Sequence, residues 1–145
     1  MLKKLIVLAA ALACAVPAMA DSWNSNKNIE SAMGTAIKTY RARGMTGLVD
    51  ESRNCFAGLD TSARNRNVGR DVEYCIAYEL SATTIDREVG KATQFPPTAG
   101  LEFLNVMTRA MATLEQAKLV RLPEEFAPYL KPRLQKISDE LPRRM

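Results

Sequence analysis

The sequence predicts an all-α fold, a small bundle of four to five helices with one disulfide-pinned helical hairpin. Three observations predict it. Apolar residues recur at helical spacing through successive stretches after residue 28. No segment alternates apolar and polar residues with β-branched enrichment, as a half-buried strand would. Two cysteines, Cys55 and Cys75, flank a polar turn at equal distance from its middle residue, Asn65.

The first twenty residues read as a leader. Lys3 and Lys4 supply a positive start, Leu5 to Ala13 an apolar stretch, Pro17 a helix break, and Ala18-Met19-Ala20 a small-x-small cleavage site. The apolar stretch is shorter than the roughly 20 residues that span a bilayer. Cleavage after Ala20 is expected, leaving residues 21–145 as a single helical domain in the periplasm or secreted. Ala11-Leu12-Ala13-Cys14 also resembles a lipobox without its usual leucine, which gives a minor alternative: a lipoprotein anchored through Cys14.

About 125 residues remain, enough for one domain with a core. Losing Lys3 and Lys4 leaves 18 basic residues against 16 acidic ones, an ordinary mixed surface rather than a nucleic-acid footprint. After the leader no apolar run reaches membrane-spanning length, so no transmembrane segment is expected in the mature chain. In an oxidising compartment Cys55 and Cys75 are expected to pair. Closing a loop of that length stabilises a fold by about 3 kcal/mol on the chain-entropy argument.

Taken in order, Asp21 to Asn28 is polar apart from Trp23 and reads as a loose lead, with Trp23 a lid at the core edge. Ile29, Met33, Ala36, Ile37 and Tyr40 share a helical face, and Gly44 ends that helix. Leu48, Val49, Ser52, Cys55, Phe56 and Leu59 form the next stripe, with Thr46 as its expected N-cap. Asp60 to Gly69 is the turn. Arg70 to Val89 is the second arm, its seam running through Asp71, Cys75, Tyr78, Ala82, Ile85 and Val89. Phe95-Pro96-Pro97 forces an extended link. Thr98 is placed as the cap of a helix to about Leu119. A new start follows at Leu122-Pro123-Glu124-Glu125. Pro128 and Pro132 predict a short turn and a bend before a last helix to about Leu141. Phe126, Tyr129, Leu130, Leu134 and Ile137 are expected to close over the core, and Arg143 and Arg144 to fray.

The turn carries the densest donors: Arg64, Arg66 and Arg70, interleaved with Asn65 and Asn67. They make it a candidate partner-binding or anion-binding surface, since arginine pairs well with carboxylate and phosphate. A solvated loop is the plainer reading, because no glycine-rich cradle accompanies the arginines.

The chain has no histidine. That removes Ser-His-Asp and Cys-His nucleophilic sites and histidine zinc ligands. Nucleotide-binding, calcium-loop and nucleophile-elbow motifs are missing as well. No metal and no cofactor is expected. Met107 and Met111 are four apart, as soft copper ligands would be, but core packing accounts for them. Tyr74 and Tyr78 read as a half-buried pair with hydroxyls in water. Carboxylates are the one enzymatic option. Asp71 near the apolar seam is the candidate proton-transfer acid, while Glu73, Glu79, Asp86 and Glu88 read as surface charges.

The expectation that follows is a non-enzymatic protein that binds another periplasmic or envelope protein as an accessory, inhibitor or immunity-type factor. The alternatives are a carrier of a small apolar ligand and a carboxylate-based hydrolase.

Overall fold

A computed structural model describes residues 23–145. The leader and Cys14 lie outside the described residues. Four α-helices make the fold, with no strand among the described residues: α1 (Ser25–Ala57), α2 (Val68–Thr93), α3 (Phe103–Gln116) and α4 (Phe126–Glu140). Single 3-10 turns at Pro123–Glu125 and Leu141–Arg143 flank α4. No helix among the described residues is long and apolar enough to cross a membrane.

α1 is two arms. Gly44 interrupts it at φ 64°, ψ −157°, a conformation essentially reserved for glycine. The chain doubles back there. Arg43 pairs with Glu51 at 2.8 Å, and Asn28 and Gly58 line one cleft. The arm 25–43 runs alongside α2 in the same direction, with Asn28 Nδ2 donating to the Arg70 carbonyl and the Tyr74 hydroxyl to Thr35. The arm 45–57 runs against it. Ser52 donates to Glu79, and Cys55 is bonded to Cys75 with Cα atoms 5.6 Å apart, within the range a disulfide demands. The expected helix end at Gly44 and the expected pinned hairpin are both present.

α2 is the axis of the molecule. The two arms of α1, then α3, α4 and the final 3-10 turn, all pack on it. From Val72 to Asp86 nearly every residue is buried. Val72, Ile76, Tyr78, Leu80 and Ile85 meet Met33 and Leu48 of α1, Val106 and Leu114 of α3, and Leu130 and Ile137 of α4 in one core. A helix enclosed in this way buries its polar residues too. Glu73, Glu79 and Asp86 are therefore interior, contrary to the expectation of surface charges. Tyr78 is fully buried, not half-buried with its hydroxyl in water.

Several boundaries differ from expectation for local reasons. α1 starts at Ser25 because the Asn24 side chain caps it, accepting from the Lys27 N–H at 3.0 Å. Gly69 lies inside α2, where a β-carbon would collide with the Trp23 indole. Thr98 does not cap α3. Its N–H and hydroxyl are held by the buried Asp86 carboxylate, and the chain dips through Leu101 into the core before α3 starts at Phe103. The expected short turn is the 3-10 turn at Pro123–Glu125, and Pro132 is accommodated inside α4, so one helix follows where a bend and a helix were expected. The last residues are tied down: Leu141 is buried, Arg144 pairs with Glu140, and Arg41 donates to a main-chain oxygen of Met145.

Candidate functional site

The turn between the arm 45–57 and α2 is built as a frame. Asp60 Oδ1 accepts from the Ser62 N–H at 2.9 Å, an Asx turn that starts the reversal. Asn65 is its centrepiece. Its Nδ2 donates to the Asp60 carbonyl at 2.8 Å and to Asp71 Oδ2 at 3.3 Å, while its Oδ1 accepts from the Asn67 N–H at 2.9 Å. The disulfide closes the base. A cleft of about 390 Å³ lies between frame and helices, lined in part by Asn28, Asp60, Asn65, Arg70, Asp71 and Tyr74. Hydrogen bonds from Ser62 hold the Asp60 carboxyl below the usual carboxylate range.

The five turn residues separate into two groups. Asn65 and Asn67 hold the frame together, and Arg70 donates through Nε and Nη2 to Asp71 Oδ1 at 3.2 and 3.1 Å. Arg64 and Arg66 are exposed and have no ion-pair partner among the described residues. The three arginines thus do not form one phosphate cradle, since Arg70 is occupied by Asp71. Asp71 is tied to Arg70 and Asn65 at the cleft wall, rather than placed as a lone acid against the apolar seam.

The interior acids form two polar centres instead. Glu73 gathers Trp23 Nε1 at 2.6 Å, the Ser25 hydroxyl, Asn28 Nδ2 at 3.0 Å and Arg133 Nε at 2.9 Å. Burial pushes its carboxyl up, but the donors from Ser25, Asn28 and Trp23 and the Arg133 charge outweigh burial and leave the pKa lowered. Arg133 also lies 3.7 Å over the Tyr129 ring. This centre joins the N-terminal arm, α2 and α4.

Glu79 is the opposite case. Its Oε1 accepts from Ser52 at 2.9 Å and Arg109 Nε at 2.8 Å, while its Oε2 is buried with no hydrogen-bond partner among the described residues. Burial dominates and raises its pKa despite the bonds from Arg109 and Ser52. Arg109 continues to the Gly100 carbonyl at 2.9 Å, so this centre joins α1, α2, α3 and the link before α3. Glu73 and Glu79 are 0% and 1% exposed, which closes both to a substrate. Their buried hydrogen bonds hold helices together. The chain signals this only faintly: from Cys75 to Ile85 it carries a single charge, Glu79, where a surface helix would carry several.

A second surface was not foreseen. Phe95, Phe103 and Leu104 are 73%, 55% and 76% exposed, and Met111 is 40% exposed. Core packing therefore explains Met107, which is partly buried, but not Met111. Beside them a groove of about 370 Å³ is lined by Thr83, Arg87, Phe95, Pro97, Leu101 and Phe103, among others. Among the described residues no group of three or more histidine, cysteine, aspartate or glutamate side chains is placed to hold a metal ion. No protein-family model, curated protein or solved structure matches this chain.

Proposed function

We propose that this is an exported helical protein that acts by binding the acidic face of another protein of the cell envelope. The observation that carries the reading is the turn. It is braced by the disulfide and by Asn65, and it presents Arg64 and Arg66 outward without partners. A rigid loop loses little entropy on docking, and unpaired guanidinium groups find carboxylates in bidentate geometry. Loops on a firm scaffold are where recognition concentrates. The leader pattern and the cysteine pair support export.

The experiment is affinity recovery from an envelope extract with the protein immobilised. Arg64→Ala with Arg66→Ala should reduce recovery of the partner at least tenfold, and raising salt should weaken wild-type recovery in the same direction. Undiminished recovery by the double variant would remove this surface. A mass measurement on protein from the envelope checks export: the mature chain should begin at Asp21.

The carrier reading has one observation in its favour, the groove beside Phe95 and Phe103. A native mass spectrum showing only the bare polypeptide would count against it.

A further inference from the structure

We propose that the groove between the C-terminal part of α2 and the link before α3 binds a free single-chain amphiphile with an anionic head, of the alkyl carboxylate class. It rests on the carrier reading of this groove and is separate from the binding role of the Arg64–Arg66 turn.

The groove is framed before any ligand arrives. Its floor is one stripe of α2: Thr83, Asp86, Arg87 and Gly90 stand at i, i+3, i+4 and i+7 and share a helical face. Phe95 and Pro97 of the link, with Leu101 and Phe103 at the entry to α3, complete the lining. The link is held at three points. The Gln94 N–H donates to the Gly90 carbonyl at 2.7 Å, the Thr98 N–H to Asp86 Oδ2 at 2.9 Å, and Arg109 Nη2 to the Gly100 carbonyl at 2.9 Å. Between the first two, Pro96 and Pro97 restrict the backbone to an extended course. Gly90 lets the link sit close on α2, since a β-carbon there would stand 3.2 Å from the Phe95 carbonyl oxygen. A groove braced in this way loses little entropy when it is filled.

The lining selects the ligand. Side chains other than Thr83, Asp86 and Arg87 carry no polar atom. The Thr83 hydroxyl is spent on the Glu79 carbonyl at 3.0 Å, and both Asp86 oxygens accept from Thr98. Arg87 is the polar group that remains. It is half-exposed, and its approach to Glu88 through Nε is 3.5 Å, beyond the usual hydrogen-bond range. Glu88 is held more closely by Lys91, at 2.9 Å. The terminal nitrogens of Arg87 donate no hydrogen bond among the described residues. A carboxylate can accept from both in bidentate geometry while its alkyl chain covers Phe95, Leu101 and Phe103. An ammonium head would meet the Arg87 charge with its own sign. At about 370 Å³ the groove lies at the small end of ligand sites, room for one chain rather than a two-chain lipid.

Isothermal titration calorimetry with octanoate, decanoate and dodecanoate, each below its micelle-forming concentration, tests it. Affinity should rise about fourfold with each added methylene until the groove is full. Dodecylammonium should bind about threefold more weakly than dodecanoate, and Arg87→Glu should reverse that order. Phe95→Ala should weaken the whole series. Leu104→Glu, on the outer side of α3 and outside the groove, should leave it unchanged. All three side chains are largely exposed, so thermal unfolding midpoints should stay in place. If carboxylate and ammonium bind alike and Arg87→Glu alters neither, the anionic head is overturned while the carrier reading stands. If no alkyl probe binds, or if binding follows Leu104→Glu and ignores Phe95→Ala, the groove loses both. Adherence to anionic phospholipid vesicles without binding of the monomeric carboxylates would overturn the proposal as well, because the affinity would then belong to a membrane surface.

Discussion

Glu73 and Glu79 stand six residues apart on one helix, both buried, and the protein treats them in opposite ways. Glu73 has donors for both oxygens and a cation beside it, so its carboxylate is favoured. Its contribution is fully present above the ordinary carboxylate value of 4.5 and is lost as pH falls through the lower folded value. Glu79 has one oxygen without a partner, and its pKa is raised above 4.5. In the interval above 4.5 the folded chain holds this proton more tightly than the unfolded chain. Stability therefore falls as pH rises through that interval. Glu79→Gln should abolish this slope while changing stability near neutral pH by no more than about 1 kcal/mol. The amide keeps an oxygen for Ser52 and Arg109, and the half-exposed Arg109 can take water instead of a charge. Urea midpoints measured from pH 4.5 upward check it: a variant as pH-dependent as the wild type would locate the proton elsewhere.

At the scale of elements, α1 shows how much a single backbone geometry decides. The apolar stripes on either side of Gly44 are legible as two helices from spacing alone. What turns them into a hairpin is a φ,ψ pair that side chains with a β-carbon avoid. A β-carbon at Gly44 would touch nothing within 4 Å, so its cost is purely conformational. Gly44→Ala should destabilise the protein by about 1–3 kcal/mol without disturbing any packed contact. Chemical denaturation measures this, and an alanine variant as stable as the wild type would mean that the reversal is not strained. The α2 limits illustrate the converse. Periodicity placed the helix at 70–89, but it runs on to Thr93, where Gln94 adopts the left-handed conformation and donates to the Gly90 carbonyl at 2.7 Å. A cap of that kind, made by a residue other than glycine, leaves little trace in composition.

For the whole molecule, the disulfide ties the arm 45–57 to α2, the helix on which the other elements pack. Replacing Cys55 and Cys75 together by serine should lower stability by about 3 kcal/mol, since the bridge closes a 20-residue separation. The effect should appear in the unfolding midpoint and should disappear when the wild type is measured reduced. Losing it should also loosen the Asp60–Asp71 frame and with it the presentation of Arg64 and Arg66. Partner recovery should then fall along with stability, in contrast to the arginine variants, which should lose recovery alone.

The order of apolar and polar residues was enough to predict the helical class and the place of the turn, because periodicity is a property of neighbours along the chain, and the cysteines on either side of that turn pointed to their pairing. It did not reveal that Glu73, Glu79 and Asp86 are interior, that Asn65 braces the turn, or that α3 keeps an uncovered apolar side. Those depend on how many partners surround a helix. A periodic stripe assumes one buried face and one wet face; α2 is enclosed from Val72 to Asp86, and α3 is packed on one side only. Enclosure is a property of the assembled bundle, and it decides which charges lose their water and which carbon stays exposed to it.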